Sequence, residues 1–146
     1  RGQGWAIYGF ALSSRHTGRS DFLATSRRVA DRFLEELGAD YLPNCDFCQP
    51  AGEDLKDDCA GTIAACGLLE LADLLGNYRE GYRDAAFALL RAAEASHADW
   101  TDATPAVLTH CTGSYHANDH HMAMTYGDYF LIEGVSRLLG AKPLRW

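Results

Sequence analysis

Helical spacing of apolar residues recurs along almost the whole chain, and glycine follows nearly every helical stretch. This pattern constrains the fold more than any other feature of the sequence. Apolar residues at i, i+3, i+4 and i+7 line one face of a helix. Trp5, Tyr8, Gly9 and Leu12 hold that spacing in a first segment, Trp5 to His16, which stops near Gly18. Ser20 reads as the N-cap of a second helix, about Asp21 to Leu37, that ends at Gly38. Its stripe is Phe22, Val29, Ala30, Phe33 and Leu37, with Arg27, Arg28, Asp31, Arg32, Glu35 and Glu36 mainly off it. A third helix, about Asp58 to Leu75, is rich in Ala60, Gly61, Ala64, Ala65 and Gly67 and stops at Gly76. A fourth, about Glu80 to Ser96, carries Tyr82, Ala85, Ala86, Leu89, Leu90 and Ala93 as its stripe. A fifth runs from about Tyr126 to Leu139 and stops at Gly140. Residues 39–56 and 98–124 read as long loops, and strand signals are nearly absent.

The helices repeat in pairs. Gly9 lies nine residues before Gly18, and Gly67 nine before Gly76; Leu138-Leu139-Gly140 echoes Leu74-Leu75-Gly76. A supersecondary unit recurring every ~60 residues predicts stacked helical hairpins, in a solenoid or a closed α/α toroid. Small residues on the odd-numbered helices favour the toroid, with those helices as the inner ring. Both long loops precede an odd helix, so they are expected at one end of the ring, around a cleft. Loops of more than about 12–15 residues in a compact domain are usually functional.

The chain has 146 residues, a length that fits one domain. Thirteen Lys and Arg against 20 Asp and Glu give a net charge of −7, which excludes broad binding to nucleic acid or to an anionic membrane surface. No apolar run of about 18 residues is present to span a membrane. The chain opens at Arg1 without a secretory signal pattern, implying a true start removed by processing or truncation. Cys45, Cys48, Cys59, Cys66 and Cys111 make an odd set, which favours a reducing, cytoplasmic compartment. Cys66, in an apolar run, reads as a small core residue.

Arg1 and Trp5, one helical turn apart, share a helix face. A guanidinium offers a planar fork for a carboxylate, and an indole a flat apolar surface for a sugar ring. The ordinary alternative is a solvated terminal arginine and a core tryptophan. The stretch 110–121 holds four of the six histidines. It reads as a zinc or iron site, to which Cys45-x-x-Cys48 can be added, as a polar hydrogen-bonded loop, or as a sugar-binding lip with Tyr115 and the histidines supplying stacking and donors. A single C-x-x-C and the lack of paired ligand spacing on a helix count against metal. Carboxylates suit glycosidic chemistry, and Asp46, Asp57, Asp58, Asp119 and Asp128 lie near the expected cleft. Capping is the default role of Asp57 and Asp58 before the third helix, and Asp128 opens the fifth in the same way.

Three stretches together resemble the unsaturated glucuronyl hydrolases, glycoside hydrolase family 88. Arg1-Gly2-Gln3-Gly4-Trp5-Ala6-Ile7-Tyr8-Gly9 resembles the family's R-G-Q-x-W-x-x-Y-G. Asp57-Asp58-Cys59-Ala60-Gly61-Thr62-Ile63-Ala64-Ala65-Cys66-Gly67-Leu68-Leu69-Glu70-Leu71 resembles its D-S-S-A-x-x-I-A-A-S-G-L-L-E-L. Tyr126-Gly127-Asp128-Tyr129-Phe130-Leu131-Ile132-Glu133 is similar to its Y-G-D-Y-Y-F-L-E-A. Order and approximate distances agree along the whole chain. The family's serines in D-S-S-A are here Asp58 and Cys59, and its V-D pair before Y-G-D-Y is missing, with His120-His121 nearby.

The resemblance implies an all-α fold of helical hairpins forming part of an (α/α)6 barrel. Residues 1–146 would be its C-terminal five helices, with no second domain. It also implies removal of a 4,5-unsaturated glucuronic acid from the non-reducing end of lyase-generated oligosaccharides. In that reaction an aspartic acid protonates the C4=C5 vinyl ether, water adds at C5, and the hemiketal opens to release the sugar. Neither metal nor cofactor is required. Arg1 and Trp5 match the family's substrate-contacting Arg and Trp, and the loop His110–His116 corresponds to its substrate-side loop, which brings in Tyr115 and His116. The family's catalytic aspartates lie upstream of R-G-Q-x-W, and none of Asp46, Asp57, Asp58 or Asp128 matches them, so no catalytic residue is expected within the chain. The implied partners are an unsaturated uronic-acid oligosaccharide and the N-terminal remainder of the barrel, or else self-association through uncovered helix faces. Two rival readings are a non-catalytic helical-repeat module that binds carbohydrate or another partner, and a metal-dependent helical enzyme using the 110–121 histidines.

Overall fold

A computed structural model describes residues 1–76 and 79–142. Five helices follow one another: α1 (Gly2–Thr17), α2 (Ser20–Glu36), α3 (Asp58–Leu75), α4 (Arg79–His97) and α5 (Thr125–Leu138). No strand forms among the described residues. The long loops carry only isolated bridges, Asn44 with Lys56, Ala98 with Leu108, and Cys111 with Met122.

The helix ends differ from the sequence expectation in small, explicable ways. α1 starts three residues early because the Arg1 carbonyl accepts from Trp5 N–H at 3.0 Å, and Gly2 and Gly4 are carried inside the first turn. Gly18 closes it in the left-handed conformation, at φ 71°. Ser20 is the first residue of α2, not its cap. Arg19 precedes it with extended backbone and no side-chain cap, and its guanidinium pairs with Asp21. α2 ends at Glu36, one residue before the expected Leu37, whose backbone is already extended.

α1, α3 and α5 form one layer, with α3 between the other two; α2 backs α1 and α4 backs α3. The arrangement is an arc of helical hairpins, part of an (α/α)6 barrel, with the odd helices inside. Its close approaches explain the small residues. A Cβ at Gly67 would lie 2.7 Å from Ile7 Cγ2 and 2.8 Å from Tyr8 N, and one at Gly4 3.0 Å from the Ala60 carbonyl. α1 and α3 therefore touch backbone to backbone. Residues 58–72 are all buried. The predicted α4 stripe, Tyr82 to Ala93, is buried in full. Each large apolar side chain so buried contributes roughly 1.5–3 kcal/mol. From α2, Ala30 and Phe33 are buried and Ser26 Oγ donates to the Ile7 carbonyl at 2.6 Å, an outer helix bonding to an inner one.

One buried ionic network crosses the inner layer. Glu70, wholly buried on α3, meets Arg137 of α5 at 3.0 Å and Arg15 of α1 through its other oxygen. Arg137 also reaches Asp73 at 3.0 Å and the Cys66 carbonyl at 3.2 Å, and Tyr8 donates to Glu133 at 2.7 Å.

The two long loops meet at one end of the arc, as the repeat predicts. Thr112 Oγ1 donates to the Lys56 carbonyl at 2.7 Å, Tyr115 hydroxyl to Glu53 at 2.8 Å, and Asp58 N–H to the His110 carbonyl at 3.1 Å. Along α4 and α5 runs an open apolar groove of about 650 Å³, lined by Phe87, Leu90, Trp100, Leu131, Val135 and Leu139 among others. Phe87 and Trp100 are more than half exposed there. Among the described residues no helix is long and apolar enough to cross a membrane.

Candidate functional site

Arg1 stands at the N-terminus of α1, where its guanidinium turns toward the second loop and α5. Nη2 donates to the carbonyls of Thr112 at 2.5 Å and Gly113 at 2.9 Å. Nη1 donates to the Tyr126 hydroxyl and lies 3.6 Å from Met124 Sδ. Nε faces Asp57 Oδ2 at 3.4 Å. The fork is thus seated on the base of the loop that carries Tyr115 and His116. Only part of the guanidinium remains open, its side chain being 20% exposed. Burial opposes the charge, while Asp57 and Tyr126 favour it more strongly in sum and hold the pKa above the ordinary arginine value.

Trp5, one turn along, keeps 43% of its surface exposed. Its indole packs edge-on against Phe130, centroids 5.3 Å apart, and leans on Tyr126 at 6.2 Å. Arg1 lies over the same tyrosine ring, 5.7 Å from its centroid. Tyr126 therefore joins the two residues of the R-G-Q-x-W segment. It was not among the predicted contacts, although it opens the Tyr126-Gly127-Asp128-Tyr129 motif. The motif glycine sets the spacing: a Cβ on Gly127 would come within 2.9 Å of Cys111 Sγ and 3.0 Å of Cys59 Sγ.

Tyr115 and His116 are elsewhere on the loop. Their rings meet edge-to-face at 5.0 Å, and the tyrosine is tied to Glu53 of the first loop. Their link to Arg1 runs through backbone, since Arg1 holds the carbonyls of residues 112 and 113.

The candidate carboxylates are engaged in structure. Asp57 is buried and caps α3, accepting from Cys59 N–H and from Thr112 N–H, both at 3.2 Å. Asp128 accepts from Val107 and Leu108 N–H at 3.1 and 2.8 Å, so it binds the preceding loop and not its own helix. Asp46 accepts from Cys48 N–H at 2.7 Å within its own turn, and Asp119 is exposed.

Asp58 departs from the capping role. Its Oδ1 pairs with His97 Nδ1 at 2.8 Å, at the last residue of α4. Burial pushes its carboxyl up to about 6, against the opposing pull of His97. The His97 ring stacks on His110 with centroids 4.0 Å apart, and His121 meets His110 edge-on at 4.6 Å. Desolvation and the two neighbouring imidazoles hold His110 below the usual histidine value. The sequence pointed to His110 and His121 but not to His97, a single histidine closing an amphipathic helix.

No protein-family model matches the chain. It is 37% identical to an unsaturated glucuronyl hydrolase of Bacillus sp. (strain GL1), over 94% of this chain and 38% of that protein. It is 34% identical to one of Formosa agariphila, over 94% of this chain and 35% of the other. A solved structure of an unsaturated glucuronyl hydrolase variant from Streptococcus agalactiae, complexed with dGlcA-GalNAc6S, superposes with a TM-score of 0.89 at 25% identity, covering 99% of this chain and 40% of that one. The chain spans little more than a third of the length of the curated relatives it matches. Order of motifs, arc of hairpins and sequence identity agree: over nearly its whole length the chain is similar to a little more than a third of an unsaturated glucuronyl hydrolase.

Proposed function

We propose that residues 1–146 form the C-terminal part of an α/α-barrel hydrolase that removes 4,5-unsaturated glucuronic acid from the non-reducing end of lyase-generated oligosaccharides by hydrating the C4=C5 vinyl ether. The observation that carries this reading is the convergence of Arg1, Trp5 and Tyr126 on one open face at the loop end. The half-exposed indole is a platform for a sugar ring, and the partly open guanidinium beside it supplies positive charge for the uronate. Tyr115 and His116, on the loop seated by Arg1, are proposed as further contacts. The hydration step requires a carboxyl that first gives and then takes a proton. Asp57, Asp58 and Asp128 are each committed to caps, loop amides or His97, so the acid is proposed to come from outside residues 1–146. The five free cysteines support a reducing, cytoplasmic setting.

Two partners follow. One is an unsaturated uronic-acid oligosaccharide. The other is the remaining part of the barrel, or a second copy, covering the apolar groove on α4 and α5. The test of function uses an unsaturated glucuronyl disaccharide and follows Trp fluorescence. Binding by the chain, weakened at least tenfold in Trp5→Ala and in Arg1→Met with the helical content retained, is the expected result. Equal affinity in all three proteins overturns the assignment of the site. Loss of the substrate's conjugated absorbance with these residues alone would overturn the placement of the acid. Sedimentation tests the groove, with a monodisperse monomer as the contrary result.

A further inference from the structure

We propose that Asp58, His97 and His110 form a divalent-metal site of zinc type, with His121 as a fourth ligand, that clamps loop 98–124 to the start of α3 and the end of α4.

Three elements separated in sequence deliver these groups: the first turn of α3, the last residue of α4, and the loop between α4 and α5. One donor atom from each of Asp58, His97 and His110 lies within 4.8 Å of the others. The set of two imidazoles and one carboxylate is what a borderline divalent ion takes in a tetrahedral site.

Two further observations point into the same place. Asp58 is 1% exposed, and its Oδ2 has no hydrogen-bond partner among the described residues. A buried carboxylate oxygen without a donor is costly, and a cation satisfies it directly. His121 stands beside His110 with its backbone in the left-handed region, at φ 53°. Its exposed ring touches His110 edge-on, while the donors that already converge are those of Asp58, His97 and His110.

The rings as they stand are stacked, so their lone pairs run side by side. Ligation requires rotation of the His110 ring, which releases its contact with Thr109 Oγ1 at 2.9 Å. His97 keeps Asp58 as its hydrogen-bond partner or shares the ion with it. The second convergent set among the described residues, Asp57, Cys59 and Cys111, is less suited to a cation. The guanidinium of Arg1 lies 3.4 Å from Asp57 there, and the other Asp57 oxygen is occupied by two amides. Asp58 and Cys59 both stand where the family pattern has serine, so this chain carries ligand chemistry at two positions where that pattern does not.

The test strips the full chain with a chelator, then titrates it with Zn²⁺ by calorimetry and with Co²⁺ by visible spectroscopy. One equivalent is expected to bind, with ligand-field bands of a nitrogen and oxygen set and no sulfur-to-cobalt charge transfer. His97→Ala and His110→Ala should each weaken binding about 100-fold, and His121→Ala about tenfold. Zn²⁺ should also slow amide exchange at Cys111 and Met122, which pair across the loop. Absence of saturable binding by the unaltered chain overturns the proposal. So does binding that survives His97→Ala and His110→Ala and brings a sulfur charge-transfer band, which would place the ion at Cys59 and Cys111. Where the buried variants fail to fold, the cobalt spectrum of the unaltered chain and the exposed His121→Ala variant decide.

Discussion

Arg137 meets Glu70 inside the protein, Nη2 to Oε2 at 3.0 Å, with side chains 4% and 0% exposed. The other Glu70 oxygen is taken by Arg15, so one carboxylate on α3 holds one cation from α5 and one from α1. Removing one member of a buried ion pair costs about 3–5 kcal/mol when the other is left unmatched, but here Arg137 and Arg15 both keep Asp73, at 3.0 and 3.8 Å. Glu70→Gln is therefore expected to destabilise the chain by a smaller amount, about 2 kcal/mol, in urea unfolding. A loss below about 1 kcal/mol would show that water replaces the carboxylate, and that the network does not hold α1 and α5 to α3.

Two glycines of the inner layer should respond to alanine in opposite directions. At Gly67 a Cβ meets Ile7 Cγ2 at 2.7 Å and backbone atoms of Tyr8 at 2.8 and 3.0 Å, so α1 must move away. Gly67→Ala is expected to cost about 1–3 kcal/mol, the usual range for overpacking. At Gly9, inside α1, nothing lies within 4 Å of the added atom. Gly9→Ala is expected to stabilise by about 0.5–1 kcal/mol through helix propensity alone. Denaturation midpoints of the two variants check both signs.

The fold was readable because its helices obey local rules. The α4 stripe from Tyr82 to Ala93 and the small residues of α3 each announce a buried face, and the repeat of hairpins supplied their order. The site was readable only in part. Arg1 and Trp5 are one turn apart and visible as a pair, but Tyr126, which joins them, lies at the far end of the sequence. His97 gave no signal, because its partner Asp58 is 39 residues earlier and the pair exists only once α3 and α4 pack. Glu70 sits in a run of leucines, where a carboxylate should have announced a buried cation, yet neither Arg15 nor Arg137 is distinguishable by sequence from a surface arginine.

Tyr82 links α4 to α2, its hydroxyl donating to Asp31 at 2.5 Å. Burial and the adjacent carboxylate push its phenol up to about 12, against about 10 in an unfolded chain. Between those values the unfolded chain has released a proton that the folded chain keeps. Stability from this group is complete below pH 10 or so and is lost as pH rises toward 12. Thermal melts across that range should fall less steeply for Tyr82→Phe than for the unaltered chain. Parallel slopes would mean that the phenol ionises as readily in the folded protein as in the unfolded one.

The seat of Arg1 on the second loop predicts a variant effect that charge alone does not. Its guanidinium spans the carbonyls of Thr112 and Gly113 and the hydroxyl of Tyr126 while facing Asp57. A lysine ammonium is a point donor and cannot hold that set in one geometry. Arg1→Lys is therefore expected to behave nearly as Arg1→Met does, loosening the loop although the positive charge is kept. Amide exchange at Cys111 and Met122, bonded to each other at 2.9 and 3.1 Å, should accelerate by about tenfold or more in both variants. Full protection in Arg1→Lys would show that the loop answers to charge near Asp57 and not to the planar fork. Tyr115 and His116 would then be positioned independently of Arg1.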